Sequence, residues 1–219
     1  MIPLRDVIPS RTTPYITITI IALNGLAWFL ELSMPDRQLS QFLLLYGVVP
    51  ARFSPATLIT SMFLHGSWSH VIGNMWYLWI FGDNVEDRLG PGRFILFYLV
   101  CGVAASIGQI AMDPASTLPT IGASGAIAGV MGAYFVLYPR SRVLTLVSLL
   151  IFWEIVEVPA IFLLGFWFLM QLFSAGAIAV TAATHGSGGV AFMAHVAGFL
   201  VGMVGVFAFR RPEPDRWAV

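Results

Sequence analysis

The chain contains six stretches of nearly uninterrupted apolar sequence, each about 20 residues long, joined by short polar links. A helix of that length spans the ~30 Å hydrocarbon layer of a bilayer, and backbone in lipid must satisfy its own hydrogen bonds, so a polytopic helical membrane fold is the economical solution. The stretches cover 15–34, 58–82, 93–112, 123–139, 159–182 and 191–210. They predict an all-α membrane protein with six transmembrane helices in one domain over 15–210. A short cytoplasmic lead over 1–14 and a cytoplasmic tail over 211–219 are expected to flank it. Composition agrees, with 58% of the residues hydrophobic and 10% charged, against about 25% charged in soluble proteins. Formal net charge is zero and the eleven cationic side chains are all arginine, scattered rather than clustered. Nucleic acid is therefore not an expected partner.

Two segments decide how the spans run. Asp83 to Arg93, with its acids and the Gly90-Pro91-Gly92 breaker, separates the second span from the third. Val143 to Val158 is apolar but holds Glu154 and Glu157 ahead of Pro159, and a carboxylate at mid-bilayer costs about 3 kcal/mol on insertion scales. It is expected to form an interfacial or partly re-entrant approach to the fifth helix. With six spans and the N-terminus inside, arginines 5, 11, 88, 93, 140, 142, 210, 211 and 216 face the cytoplasm and only 37 and 52 face out. The second, fourth and sixth helices then all begin at the outer face. That places His70, Asn74, Ser124 and His195 together in the outer half of the bilayer. Short termini and the lack of a cleavable or targeting segment suit a multi-pass protein of a bacterial inner membrane.

The chemistry follows from those four side chains. Ser124, in Gly122-Ala123-Ser124-Gly125, opens a helix, where unpaired N–H groups and the positive end of the helix dipole favour an oxyanion. A serine hydroxyl needs a base, and His195 is the candidate. Gly198 and Gly202 follow His195 at helical spacing and can pack against Gly125, Gly129 and Gly132, which would bring the imidazole to the hydroxyl. The plainer alternatives are close packing for the serine, and a structural hydrogen bond or haem ligation for the histidine. His70 and Asn74, four residues apart, share a helix face and can donate to one point as an oxyanion hole requires. A metal site is the competing use, but there are only four histidines and no neighbouring carboxylate. His65 is expected to pack the outer loop, His185 to sit in a flexible Gly-rich link, and Cys101 to be a small packing residue. The segment 183–190 is read as a flexible cap admitting substrate and water. Trp68, Trp76, Tyr77 and Trp79 suit lipid-facing or interfacial surface, and Asp113 suits a turn, leaving a Ser-His dyad rather than a triad.

Assembled in order, Gly122-x-Ser124-Gly125, Ala194-His195-x-x-Gly198-x-x-x-Gly202 and His65-x4-His70-x3-Asn74 resemble the rhomboid intramembrane serine proteases across 15–210. The resemblance implies a six-helix rhomboid-like bundle, a dyad of Ser124 and His195, and oxyanion support from His70, Asn74 and the Ser124 N–H, with Gly122 shaping the hole. It implies transmembrane protein substrates, with the lipid bilayer as partner; no cofactor or metal is expected from the residues. A catalytically silent rhomboid relative that binds membrane segments is the alternative, and intact Ser124 and His195 argue against it. Two departures stand out: Ala56-Thr57 replaces the Trp-Arg pair many rhomboids carry in the first loop, and Ala128 replaces a tyrosine that stacks on the histidine in some members. They bear on loop anchoring and histidine orientation, not on the chemistry.

Overall fold

In a computed structural model, which describes residues 1–149, 152–182 and 191–211, the described residues form eight α-helices and three strands. The helices are α1 (Tyr15–Leu32), α2 (Asp36–Tyr46), α3 (Thr57–Thr60), α4 (Trp68–Leu89), α5 (Pro91–Met112), α6 (Ser124–Leu137), α7 (Ala160–Ala182) and α8 (Phe192–Phe209). The expected cap over 183–190, including His185, and residues 212–219 of the expected tail lie outside the described residues.

Four of the helices, α1, α5, α7 and α8, are long and apolar enough to cross a bilayer. The two other expected spans differ, for separate reasons. The last two turns of α4 carry Asp83, Glu86, Asp87 and Arg88. Helix α6 has 14 residues, about 21 Å at the standard rise. Every residue of α6 from Gly125 to Tyr134 is buried, so it meets other helices rather than lipid and need not match the bilayer. The expected helix over 58–82 is interrupted: the single turn α3 and a 3-10 turn at Ser61–Phe63 precede an extended link, and α4 begins only at Trp68. Ser67 is the reason, since its hydroxyl caps α4 by accepting from the His70 N–H at 3.2 Å.

The charges of α4 are used structurally. Helix α1 starts after Pro14 with no side-chain cap of its own. Buried Glu86 accepts instead from the N–H groups of Ile16 and Thr17 and from the Thr17 hydroxyl, at 3.0, 2.8 and 2.8 Å. Asp87 accepts from the N–H groups of Arg11 and Thr12, at 2.6 and 3.1 Å. The acidic last turns of α4 thus satisfy the donors at the start of α1.

The all-α expectation is corrected by a three-stranded antiparallel sheet of β1 (Ile2–Asp6), β2 (Arg142–Leu149) and β3 (Phe152–Pro159), in the order β1-β2-β3. The segment expected as an interfacial or re-entrant approach holds two antiparallel strands, with Val143 opposite Val158 and Thr145 opposite Val156. Its β-branched residues favour an extended backbone, and the ladder satisfies the backbone donors that a helix would otherwise pair internally. The expected lead is likewise built in: β1 pairs with β2, Asp6 accepts from the Tyr134 hydroxyl at 2.7 Å and the Asn84 amide at 3.0 Å, and the Trp76 indole donates to the Pro3 carbonyl at 2.7 Å. The sheet therefore lies against α4 and the C-terminal end of α6.

The centre of the bundle is the seam between α6 and α8, the most extensive helix pairing in the fold. A Cβ on Gly198 would collide with the carbonyl oxygen of Gly125, one on Gly202 with that of Gly129, and one on Gly132 with that of Phe199. The backbones touch because these residues have no side chains. Helix α5 closes the third side, with fully buried Cys101 against Gly129 and Ala105 against Gly125.

Candidate active site

The seam brings two residues 71 positions apart into direct contact: His195 Nε2 lies 2.8 Å from Ser124 Oγ. Ser124 is the first residue of α6 and His195 lies in the first turn of α8. The Gly125–Gly198 contact just below sets how closely their backbones approach. His195 is buried, at 8% exposure. The first N–H groups of α6, beginning at Ser124, have no intrahelical acceptor, so donors face the same space as the hydroxyl.

The loop before Ser124 shapes that space. Gly122 has φ +120°, a conformation that side chains disfavour. Its N–H donates to the Ser61 carbonyl at 2.8 Å. A Cβ there would stand 2.6 Å from His70 Nε2 and 3.7 Å from Asn74 Nδ2, so glycine at 122 leaves open a point that both nitrogens flank. The Gly66 N–H reaches His70 Nδ1 at 3.4 Å, and Nδ1 accepting that bond leaves the Nε2 proton directed to Gly122. Asn74 Nδ2 also meets His65 Nε2 at 2.9 Å. Having two hydrogens, the amide can bond His65 with one and present the other. His65 is 1% exposed, and both Glu31 carboxylate oxygens lie 3.2 Å from its backbone nitrogen. The end of α1 is thereby tied through His65 to Asn74.

All five residues singled out from sequence, Ser124, His195, His70, Asn74 and Gly122, meet in one place. Two further residues, Gln171 and Trp167 of α7, join them without having stood out in the sequence. Gln171 Oε1 lies 2.8 Å from His195 Nδ1. The Trp167 ring, one turn earlier, sits 5.8 Å from the imidazole at an interplanar angle of 37°. Phe192 contacts the imidazole edge-on at 6.3 Å. The signal for Gln171 was present, since it is the only amide in the apolar run Ala160–Ala182, and polar side chains in such runs are costly unless used. Buried Ala128 offers no ring, and Trp167 of α7 supplies one.

The family model for the rhomboid domain matches residues 52–212. Over 76 residues the chain is 42% identical to the rhomboid protease GluP of Bacillus subtilis (strain 168), covering 35% of this chain and 14% of that protein. Over 127 residues it is 32% identical to the putative rhomboid protease YdcA of the same organism, covering 57% and 62%. A longer match, 194 residues at 27% identity, is to the chloroplastic Rhomboid-like protein 11 of Arabidopsis thaliana, covering 83% and 64%. The chain spans less than two thirds of the length of each of these relatives.

Proposed function

This chain belongs to the rhomboid family, and we propose that it is an intramembrane serine endopeptidase that cleaves transmembrane segments of other membrane proteins through a Ser124–His195 dyad. The observation that carries the reading is the 2.8 Å separation of His195 Nε2 from Ser124 Oγ in an otherwise apolar seam. A packing serine has no need of an imidazole at that distance.

The chemistry is acyl transfer. Ser124 Oγ attacks the scissile carbonyl as His195 Nε2 takes its proton. The tetrahedral oxyanion is held by the Ser124 N–H with His70 Nε2 and Asn74 Nδ2, in the space that Gly122 leaves open. One such donor contributes on the order of 10²–10³ in kcat. His195 returns the proton to the leaving amine, and water then hydrolyses the Ser124 ester with His195 again as base. The same reading puts residues 5, 11, 210 and 211 on the cytoplasmic side of a bacterial inner membrane and Ser124 in the outer half, as the arginine bias argues.

The test is labelling of the purified protein by a fluorophosphonate in detergent, with cleavage of a model transmembrane substrate. Ser124→Ala is expected to abolish both, and His195→Ala to reduce cleavage by ~10³-fold or more. Unchanged labelling of Ser124→Ala would overturn the reading.

A further inference from the structure

We propose that Gln171 is the positioning residue for His195, so that a neutral amide on α7 completes a Ser124–His195–Gln171 array; this rests on the proteolytic reading above. A neutral imidazole has one N–H. To take the Ser124 proton, Nε2 must carry the lone pair, which puts the ring proton on Nδ1. In an apolar seam that N–H needs an acceptor.

Among the described residues, the neighbouring elements offer few. Helix α6 contributes Ser124 followed by glycine, alanine and aliphatic residues as far as Val130, and its Tyr134 hydroxyl is engaged with Asp6 at the far end. The amide oxygen of Gln109 on α5 already accepts from the Ala194 N–H at 3.3 Å. His70 on α4 is the titratable group facing the site, and its Nδ1 is engaged by Gly66. Gln171 Oε1, at 2.8 Å from His195 Nδ1, is the acceptor in place.

Aromatic packing alone does not do this. Trp167 and Phe192 restrict the plane of the imidazole, but a half-turn about χ2, which exchanges ring nitrogen and carbon positions, leaves that plane unchanged. Only a polar partner distinguishes the two orientations. Gln171 therefore selects both the flip and the tautomer. An amide oxygen suits the setting, because it accepts from Nδ1–H without adding a charge to the site. The arrangement also couples the base to α7.

The experiment compares wild type, Gln171→Met, Gln171→Glu and Ser124→Ala in detergent, reading kcat, KM, fluorophosphonate labelling rate, thermal midpoint and the pH profile of kcat/KM. Gln171→Met is expected to lower kcat by ~10²-fold, with KM within about twofold and no matching loss of thermal midpoint. Gln171→Glu is expected to recover part of kcat and to move the acidic limb of the profile to higher pH by about one unit, because a carboxylate at Nδ1 favours the imidazolium. Wild-type kcat in Gln171→Met, or an unmoved acidic limb in Gln171→Glu, would overturn the proposal while leaving the dyad intact. If Gln171→Met fails to fold, the Gln171→Glu profile decides. Full cleavage by Ser124→Ala would instead remove the proteolytic reading itself.

Discussion

The α6–α8 seam and helix α7 both meet His195, but they are built differently. The seam is backbone against backbone, with the Gly198 and Gly202 positions closed by carbonyl oxygens of the facing helix. Helix α7 reaches the site through side chains, Trp167 and Gln171 on the histidine and Phe168 stacked on Phe199 at 4.8 Å, while much of its remaining surface is exposed. A glycine contact between helices has no rotamers to adjust, whereas a side-chain contact can yield. The Ser124–His195 distance is thus set by the stiff region, and the orientation of the imidazole by the compliant one.

The largest effect is expected at the seam. In Gly202→Ala the new Cβ meets the Gly129 carbonyl oxygen, and the helices must separate at a cost of ~3 kcal/mol. A fall in thermal midpoint in detergent, with loss of fluorophosphonate labelling, is the expected result. Gly25→Ala on α1, where nothing stands within 4 Å of the added atom, is the control that should leave both unchanged. If the two variants behave alike, the seam is not the stiff element.

A smaller effect is expected from Trp167→Ala. It removes the ring beside His195 and a contact with Phe199, worth about 1 kcal/mol beyond simple burial. Cleavage should fall about fivefold with the pH profile unmoved, in contrast to Gln171→Glu. A shifted profile would mean that the ring, not the amide, sets the protonation of the base.

The smallest effect is expected at the far end of α6, where Tyr134 meets Asp6. Burial, with Asp83 nearby adding to it and the Tyr134 hydroxyl opposing, pushes the Asp6 carboxyl up to about 6 from 3.8. The folded protein therefore keeps a proton that the unfolded chain releases, and stability contributed through this group declines as pH rises between those two values. Asp6→Asn should flatten that slope in thermal melts at pH 4 to 7 without altering labelling of Ser124. A slope that persists in Asp6→Asn would assign it to another carboxyl.

Much of this molecule was legible in the chain. Long apolar runs marked α1, α5, α7 and α8 because exclusion from water acts on composition over some 20 residues, whatever the neighbours. The spacing of His70 to Asn74 and of Gly198 to Gly202 is local helical geometry, which a sequence displays directly. Other features were hidden. Strands β2 and β3 read as an interfacial segment because short apolar runs do not distinguish strand from helix, and β1 is a strand only because β2 lies beside it. Glu86 looked like part of a polar link until α1 was placed with its uncapped donors against it.

For the residues at the centre the division is sharper. The membrane class, the small-residue faces and the presence of Ser124, His195, His70 and Asn74 are readable along the chain, since each of these is a property of composition or of spacing along one helix. The tertiary structure alone decided that Asn74 shares its amide with His65, that Gly122 holds open the point beside His70, and that Gln171 rather than any acid meets His195 Nδ1. Those outcomes depend on how separate helices are rotated and how closely they approach. Rotation and approach are set by the sum of many packing contacts, to which no single stretch of sequence has access.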